Sequence, residues 1–571
     1  MSVRTADFGA IPTSPLARMA YSLRRLPVFR ADVLVVGSGV AGLATAISAA
    51  DKGAHVMVLC KDSVGETNTH YAQGGIAAAV GQEDHPDLHA ADTVRLGYGL
   101  SDGQVVDTLC RAAPEAMEWL SQAGMSFDRE PSGQFHLGKE GGHRLPRILH
   151  SGGTATGKEL QRVLIARARQ HAHIDLYEQA TAVELLKDAE GAVTGLVALT
   201  RRGDTGGFDP VLFEADAVVL ACGGGGQIFR ETTNPQLATG DGVAMALRAG
   251  AALRDLEFVQ FHPTILYLAG AARFLISEVM RGAGAVLRDR NGDAFMAHAH
   301  PDADLAPRDV VSRAIFRRMV EIGDTHVYLD LSAVEDVAKR FPRLGRIAGE
   351  FGIDLVHDPI PVRPAVHYLV GGIEADLQGR TSIEGLYAVG ECASTGFHGA
   401  NRMGSNSLLE GLVHGRLVGE DLLDRPRSLR RFLSPYLPED HHAPAAQLHL
   451  ADMTYSLKSL MWREVGIVRD GAGLADARER LDAWAGYLSR LGPFTPQGVE
   501  VMNMVHVAQA ITACASFREE SRGAHYRDDF PQTSDAWQVH SRLEVEGDRL
   551  RLRSCPIPGS AARTSAPTDA S

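Results

Sequence analysis

The chain has 571 residues, 45% apolar and 22% charged, with a formal net charge of -13 at pH 7. That is about two to four domains at ~150 residues each, with the balance of an ordinary soluble globular protein. The negative charge argues against a general binder of nucleic acid or anionic membrane, and no apolar run reaches the ~18 residues of a membrane span. Six cysteines (Cys60, Cys110, Cys222, Cys392, Cys514, Cys555) are scattered without a C-x-x-C pair. Neither a metal site nor a disulfide framework is indicated, which fits a reducing compartment.

Residues 1–30 carry Arg4, Arg18, Arg24, Arg25 and Arg30 against one acid, Asp7. They read as a disordered arm of a cytoplasmic protein, or as a targeting segment that would direct the chain to an organelle. The stretch "ADVLVVGSGVAGLATAISAADKGAHVMVLCK" predicts a strand, a glycine turn, a helix and a second strand. Gly37, Gly39 and Gly42 have the G-x-G-x-x-G spacing: a tight turn, a backbone that pyrophosphate can touch, and a close helix–strand contact. The helix N-terminus then offers free N–H groups to the phosphates. The acid expected at the end of the second strand is absent, and Cys60 and Lys61 stand there.

At 137–144, "LGKEGGHR" sets the lone carboxylate of Glu140 before two glycines. "THYAQGGIAAAV" (69–80), "AVVLACGGGG" (217–226) and "EGLYAVGECA" (384–393) are strands or loops that end in glycine. A nucleotide turn followed by such late segments suits FAD better than NAD, because FAD is long and draws contacts from far along the chain. From 439 to about 537, Leu, Ala, Arg and Glu recur at helical spacing, and the last ~15 residues read as a frayed tail.

The segments "HYAQGGIAA", "EGGH", "RILHSGGTATG", "TTNPQLATGDGVAMALRAGA", "LEFVQFHPT", "SEVMRGAGA", "LAPRDVVSRAI", "RPAVHYLVGGI", "GLYAVGECASTGFHGANRMGSNSLLEGLVHG" and "SRGAHYRDDFP" occur in that order between 32 and 531. In them the chain resembles the succinate dehydrogenase/fumarate reductase flavoprotein family, and most closely its amino-acid-oxidising branch. The resemblance implies an α/β fold: a Rossmann-like FAD-binding domain in two pieces (31–255 and 369–438), an inserted α+β capping domain (256–368), and a C-terminal helical domain (439–545) before a tail (546–571). It implies FAD contacts at Gly37, Ser38, Gly39, Val40, Ala41, Gly42, Lys61, Asn68, Thr69, His70, Tyr71, Ala72, Gln73, Gly74, Gly75, Asp241, Glu391, Ser407 and Leu408. Ser407 and Leu408 would open a helix whose positive end faces the flavin. Respiratory members attach flavin covalently to a histidine. Counted back from Ala72-Gln73-Gly74-Gly75 that position is Asn68, which implies FAD held noncovalently.

The same resemblance implies a dicarboxylate site. Arginine suits carboxylates because its fork is planar and permanently charged. Arg402 would grip one carboxylate. His262 and His367 would donate hydrogen bonds, with Gln260 and Ser277 assisting. Arg308 would transfer a proton, through a lowered pKa or through a relay of Glu278 and Arg281. L-Aspartate differs from succinate by one ammonium, and Glu140 is placed to hold it. The implied reaction is oxidation of L-aspartate to iminoaspartate, with oxygen or fumarate taking the electrons and quinolinate synthase as a possible partner on the way to NAD. A soluble fumarate reductase or succinate dehydrogenase, and a noncatalytic electron-transfer subunit, are the alternatives. Taken singly, these residues have plainer readings. His262 could be a core histidine, Arg308 a surface partner of Asp309 worth under ~1 kcal/mol, Arg402 a partner for a helix end, and Glu140 a solvent-facing loop acid.

Overall fold

The structure, a computed structural model, describes residues 3–18, 23–203, 206–268, 274–422, 448–547 and 549–558. The valine-rich strand Val28–Val36 becomes fully buried from Val33 onward. It is the middle of a parallel set: Ile174–Tyr177, Val56–Leu59, Val28–Val36, Gly207–Leu220 and Leu386–Ala388. Continuous apolar runs rather than alternation are what strands covered on both faces require. The first half of Gly207–Leu220 pairs antiparallel with Val193–Arg202, which pairs with Ala180–Lys187.

Four of the parallel strands end on one edge, at Val36, Leu59, Leu220 and Ala388, and there release the turns at Gly37, Cys60-Lys61, Cys222-Gly223 and Gly390-Glu391. The crevice beyond the carboxyl ends of such strands is where open α/β sheets take ligands. Gly37 has φ +115, and a Cβ there would lie 2.2 Å from the Ala221 carbonyl. The helix Asn406–Asp421 reaches the same edge by lying against Val40–Asp51. A Cβ at Gly415 or Gly419 would come within 2.6 Å of Ala41 O or 2.5 Å of Thr45 O, so only glycine permits that approach.

Residues 259–369 build a separate antiparallel sheet, in the order Val259–Leu266, Ile360–Leu369, Val327–Asp330, Val286–Arg288. It has its own apolar cluster around Leu266, Met280, Leu287, Ile315 and Leu329. The helix Arg308–Ile322 packs on its first strand.

Both termini hold strands that the sequence does not announce. The segment 1–30 is not wholly a disordered arm: Thr5–Ala10 pairs with Arg549–Cys555, and Val28–Val36 begins inside it. The expected tail from 546 likewise holds Arg549–Cys555, the second strand of a hairpin with His540–Glu546 that joins Leu253–Arg254. Leu550 and Leu552 give Arg549–Cys555 one apolar face to bury, and Leu543 is buried on its partner; the arm's charge pairs across the edge, Arg549 to Asp7 at 2.7 Å. The C-terminal helices Leu450–Glu464, Gly471–Leu491 and Pro496–Phe517 follow the expected spacing, but do not form a bundle with a core of its own. Most of their buried residues share one cluster with the parallel sheet, because Pro496–Phe517 is buried along most of its length. The expected boundary at 438/439 and the end of the tail, 559–571, lie outside the described residues.

Candidate active site

A single cavity of about 1460 Å³ runs along the edge of the parallel sheet, from Gly37 and Ser38 to Arg308 and Arg402. At the nucleotide end, Gly37–Ala41 and Asn68–Gly75 line it. Gly42 does not. A Cβ there would lie 1.9 Å from Gly37 O, so it serves the close packing of helix on turn. Lys61 faces the cavity with its ammonium held by Asp241 at 2.8 Å and Glu500 at 2.7 Å. Burial pulls its pKa down, but the two carboxylates outweigh it and leave the pKa above its ordinary value. Glu500 comes from Pro496–Phe517, as does Asn503, which donates to Asp241 at 2.8 Å. Neither was legible in the sequence, because that helix carries no glycine motif to mark it as a neighbour of Lys61 and Asp241.

Midway, Glu391 accepts from Leu369 N at 3.1 Å and from Asn68 Nδ2 at 3.5 Å. Burial pushes its pKa up to about 7, against the pull of the Leu369 N–H. A Cβ at Gly224 would sit 2.1 Å from Glu391 Oε1, so the run of four glycines makes room for this carboxyl. Asn68 Oδ1 is buried without a partner. Ser407 and Leu408 line the cavity in the first turn of Asn406–Asp421, whose leading N–H groups point the positive end of the helix at it. A long cavity with a phosphate-type turn at one end, an orphan acceptor midway and a helix N-terminus further on fits FAD.

The far end is charged. Val259–Leu266 contributes Gln260 and His262, Ile360–Leu369 contributes His367, and Arg308 opens its helix. The two histidine rings stand 5.5 Å apart. His262 Nδ1 accepts from Thr264 N at 3.3 Å, which leaves the proton on Nε2. His367 Nδ1 meets Thr233 Oγ1 at 2.9 Å. Burial first, then the neighbouring arginines, holds both histidines well below the ordinary value and therefore neutral. Arg402 lies over the Tyr368 ring and donates to Ser407 at 3.2 Å. Burial and then Arg308 lower its pKa to about 10.

Arg308 is bonded to Glu278 at 2.9 Å and lies 3.8 Å from Glu140. Burial disfavours its charge, but Glu278 and Glu140 more than offset this, and its pKa is raised. The lowered pKa named above as one basis for proton transfer is thus not what the structure has. The plain readings of Arg308 and Glu140 also fail. Asp309 turns instead to Asn401 and Tyr98, and Glu140 is 8% exposed and accepts from Ser405 Oγ at 3.0 Å. Two expected site residues stand behind the cavity wall rather than on it. Gln260 donates to Asn401 Oδ1 and to Arg402 O and accepts from Arg402 Nε, so it braces the arginine. Arg281 is fully buried, 3.5 Å from Glu278, with one N–H on the Asp304 carbonyl. Ser277 lines the cavity and accepts from Val279 N at 3.4 Å.

The chain as a whole is similar to known proteins. The FAD binding domain family model matches residues 32–408, and the model described as fumarate reductase flavoprotein C-term matches 454–560. The L-aspartate oxidase of Streptomyces coelicolor is 42% identical over 91% of this chain and 92% of its own, and that of Nostoc sp. is 41% identical over 90% and 93%. The chain belongs to the L-aspartate oxidase family. Among solved structures, an E. coli quinol fumarate reductase FrdA variant superposes with TM-score 0.84 at 31% identity, covering 95% of this chain and 99% of that one. Mycobacterium smegmatis Sdh1 gives 0.81 at 33%, covering 93% and 95%. The chain is therefore an FAD-dependent oxidoreductase of mixed α/β fold, with an FAD-binding domain and a C-terminal domain. Among the described residues no helix is long and apolar enough to cross a membrane.

Proposed function

We propose that the chain oxidises L-aspartate to iminoaspartate, the step that opens quinolinate and NAD biosynthesis. One observation carries this beyond a general dicarboxylate site. Glu140 is buried beside Arg308 and Ser405, a second carboxylate in the pocket besides Glu278, which is already bonded to Arg308. Two carboxylates account for Arg402, Arg308, His262 and His367. A third, positive group on the substrate accounts for Glu140. Succinate and fumarate have no such group.

FAD, when bound, supplies the hydride-accepting oxidant. Arg402, braced by Gln260, grips one substrate carboxylate, and the neutral histidines donate to the carboxylates. In this oxidation the substrate loses a proton as well as a hydride, and an arginine held above its ordinary pKa takes a proton up only as it hands another on. Glu278, 2.9 Å away, is the carboxylate that can accept it, so Arg308 and Glu278 act as a relay, with Arg281 fixing Glu278 from behind. The sheet of 259–369 acts as a capping domain: it holds Gln260, His262, Arg308 and His367 over the FAD edge. Oxygen or fumarate as acceptor, quinolinate synthase as consumer of the product, and a reducing, cytoplasmic setting, suited to six free cysteines, complete the proposal.

The likeness to fumarate reductase favours a second reading, a soluble fumarate reductase or succinate dehydrogenase, and the noncatalytic subunit is the third. Steady turnover of aspartate by the isolated chain separates all three. Glu140→Gln then tests the carrying observation. It should lower kcat/KM for aspartate ~10- to 150-fold, the scale of losing one charge-assisted bond, and change fumarate reduction far less. A parallel fall in both activities would make Glu140 structural. No change in either would return selection to some other group.

A further inference from the structure

The helix Pro86–Leu96 turns His89, Asp92, Thr93 and Leu96 inward at helical spacing. Three of these are polar and none of the three is more than 2% exposed. Buried polar groups need partners, and here the partners sit on two segments that meet at the active site. Asp92 accepts from Arg144 N at 3.0 Å and from Arg147 Nη1 at 2.8 Å. Arg147, itself fully buried, also donates to Asp84 at 2.8 and 3.0 Å. These bonds anchor the loop that carries Glu140. His89 Nε2 meets Asn406 Oδ1 at 2.9 Å, and Asn406 Nδ2 donates to Thr93 at 3.0 Å. These anchor the turn 402–405, which carries Arg402 and Ser405.

His143 joins the two. Its Nδ1 lies 3.3 Å from Arg147 Nη1, and its Nε2 lies 3.0 Å from the Gly404 carbonyl. A guanidinium only donates, so Nδ1 accepts and the proton is on Nε2, aimed at Gly404. Gly404 is where loop and turn touch: a Cβ there would lie 2.2 Å from Glu140 Oε2 and 3.1 Å from Arg308 Nη2. The Glu140 loop is Glu-Gly-Gly-His, so His143 is its nearest following residue with a side chain to fix it.

We propose that His143 is a positioning residue for substrate selection: its bond to the Gly404 carbonyl holds the Glu140 carboxylate where it favours a dicarboxylate with an ammonium over one without. This rests on reading Glu140 as the ammonium's partner. The test compares two polar replacements that the pocket can accept. Asparagine places its amide where Nδ1 is, so His143→Asn keeps an acceptor for Arg147 and loses Gly404. Glutamine reaches the Nε2 position, so His143→Gln keeps Gly404. The readout is the ratio of kcat/KM for aspartate oxidation to that for fumarate reduction, on FAD-loaded protein. His143→Asn should lower the ratio by at least ~10-fold, on the scale that sub-ångström misplacement costs, and His143→Gln should keep most of it. In a Glu140→Gln background His143→Asn should change the ratio no further. Equal ratios in both His143 variants, or parallel loss of both activities, would overturn the inference and leave His143 a fold residue. If Glu140→Gln lowers the ratio and His143→Asn does not, this inference fails alone. If Glu140→Gln leaves the ratio unchanged, the parent reading fails and takes this one with it.

Discussion

The Arg308 side chain is 10% exposed, and Glu278 and Glu140 flank it. Its role therefore depends on Glu278 rather than on its own acidity. Arg308→Leu removes the relay but leaves Arg402, His262 and His367 in place. Turnover should fall at least ~100-fold, the scale of a lost positioned acid or base, while dicarboxylate binding stays measurable by perturbation of flavin absorbance. Near-normal turnover would refute the relay. Asn68 makes a second claim at this scale: an amide cannot form the histidyl link of the respiratory members. Acid precipitation should release all yellow colour to the supernatant, and colour kept in the pellet would point to His70 or another residue. Residues with distinctive chemistry were legible in the sequence: the glycine turn, Arg402, Arg308 and Glu140 all come together on one cavity. Gln260 and Thr233 were misplaced or missed for a common reason. What each touches depends on the register between Val259–Leu266, Ile360–Leu369 and the Thr232 bridge to Val366, which no local pattern encodes.

The helix Pro86–Leu96 shows the same limit for an element. Its inward face is polar, so the apolar period that announces a helix against a core is missing, and its significance appears only once Asp84, Arg147 and Asn406 surround it. That packing has a pH signature. Burial, first among the causes, drops the pKa of His89 and His143 from 6.5 to about 4, with Asn406, Arg147, Asp84 and Asp92 as their polar neighbours. Folded, both stay neutral down to about pH 4; unfolded, they take up protons from about pH 6.5. Their contribution, ~3 kcal/mol each by that displacement, is thus complete above pH 6.5 and lost progressively as the pH falls toward 4. The Tm should decline over that window, and His89→Gln should make the decline shallower. A flat Tm between pH 6.5 and 4.5, or an unchanged slope in the variant, would show that these histidines are not held neutral by the fold.

For the whole molecule, both ends of the described chain meet in one sheet, and the two contributions are unequal. Among the described residues Thr5–Ala10 is an edge strand that pairs only with Arg549–Cys555, and it carries exposed ion pairs, Arg549 and Arg551 on Asp7. Such pairs are worth ~0–1 kcal/mol. His540–Glu546 is central: it joins the hairpin to Leu253–Arg254, the strand that leads into Gln260 and His262. His540 bonds Asp255 at 2.6 Å, and Ser541 Oγ bonds Glu257 at 2.8 and 2.6 Å, with both acids almost wholly buried. Removing one partner of a buried charge costs ~3–5 kcal/mol, and here several would go together. Neither terminus announces its strand in the sequence, because short charged strands with one apolar face look like linkers until a partner strand is in view. Deleting residues 1–12 should lower Tm by only a few degrees, in keeping with the ~1 kcal/mol at stake in such exposed pairs, and leave aspartate turnover within about twofold. Deleting 540–571 should strip His540 from Asp255 and Ser541 from Glu257, leaving both buried acids to Arg518 alone beneath the first strand of the histidine sheet, and the product should be insoluble or free of flavin. A soluble, yellow, active chain lacking 540–571 would mean that the catalytic strand is held by the FAD-binding sheet alone.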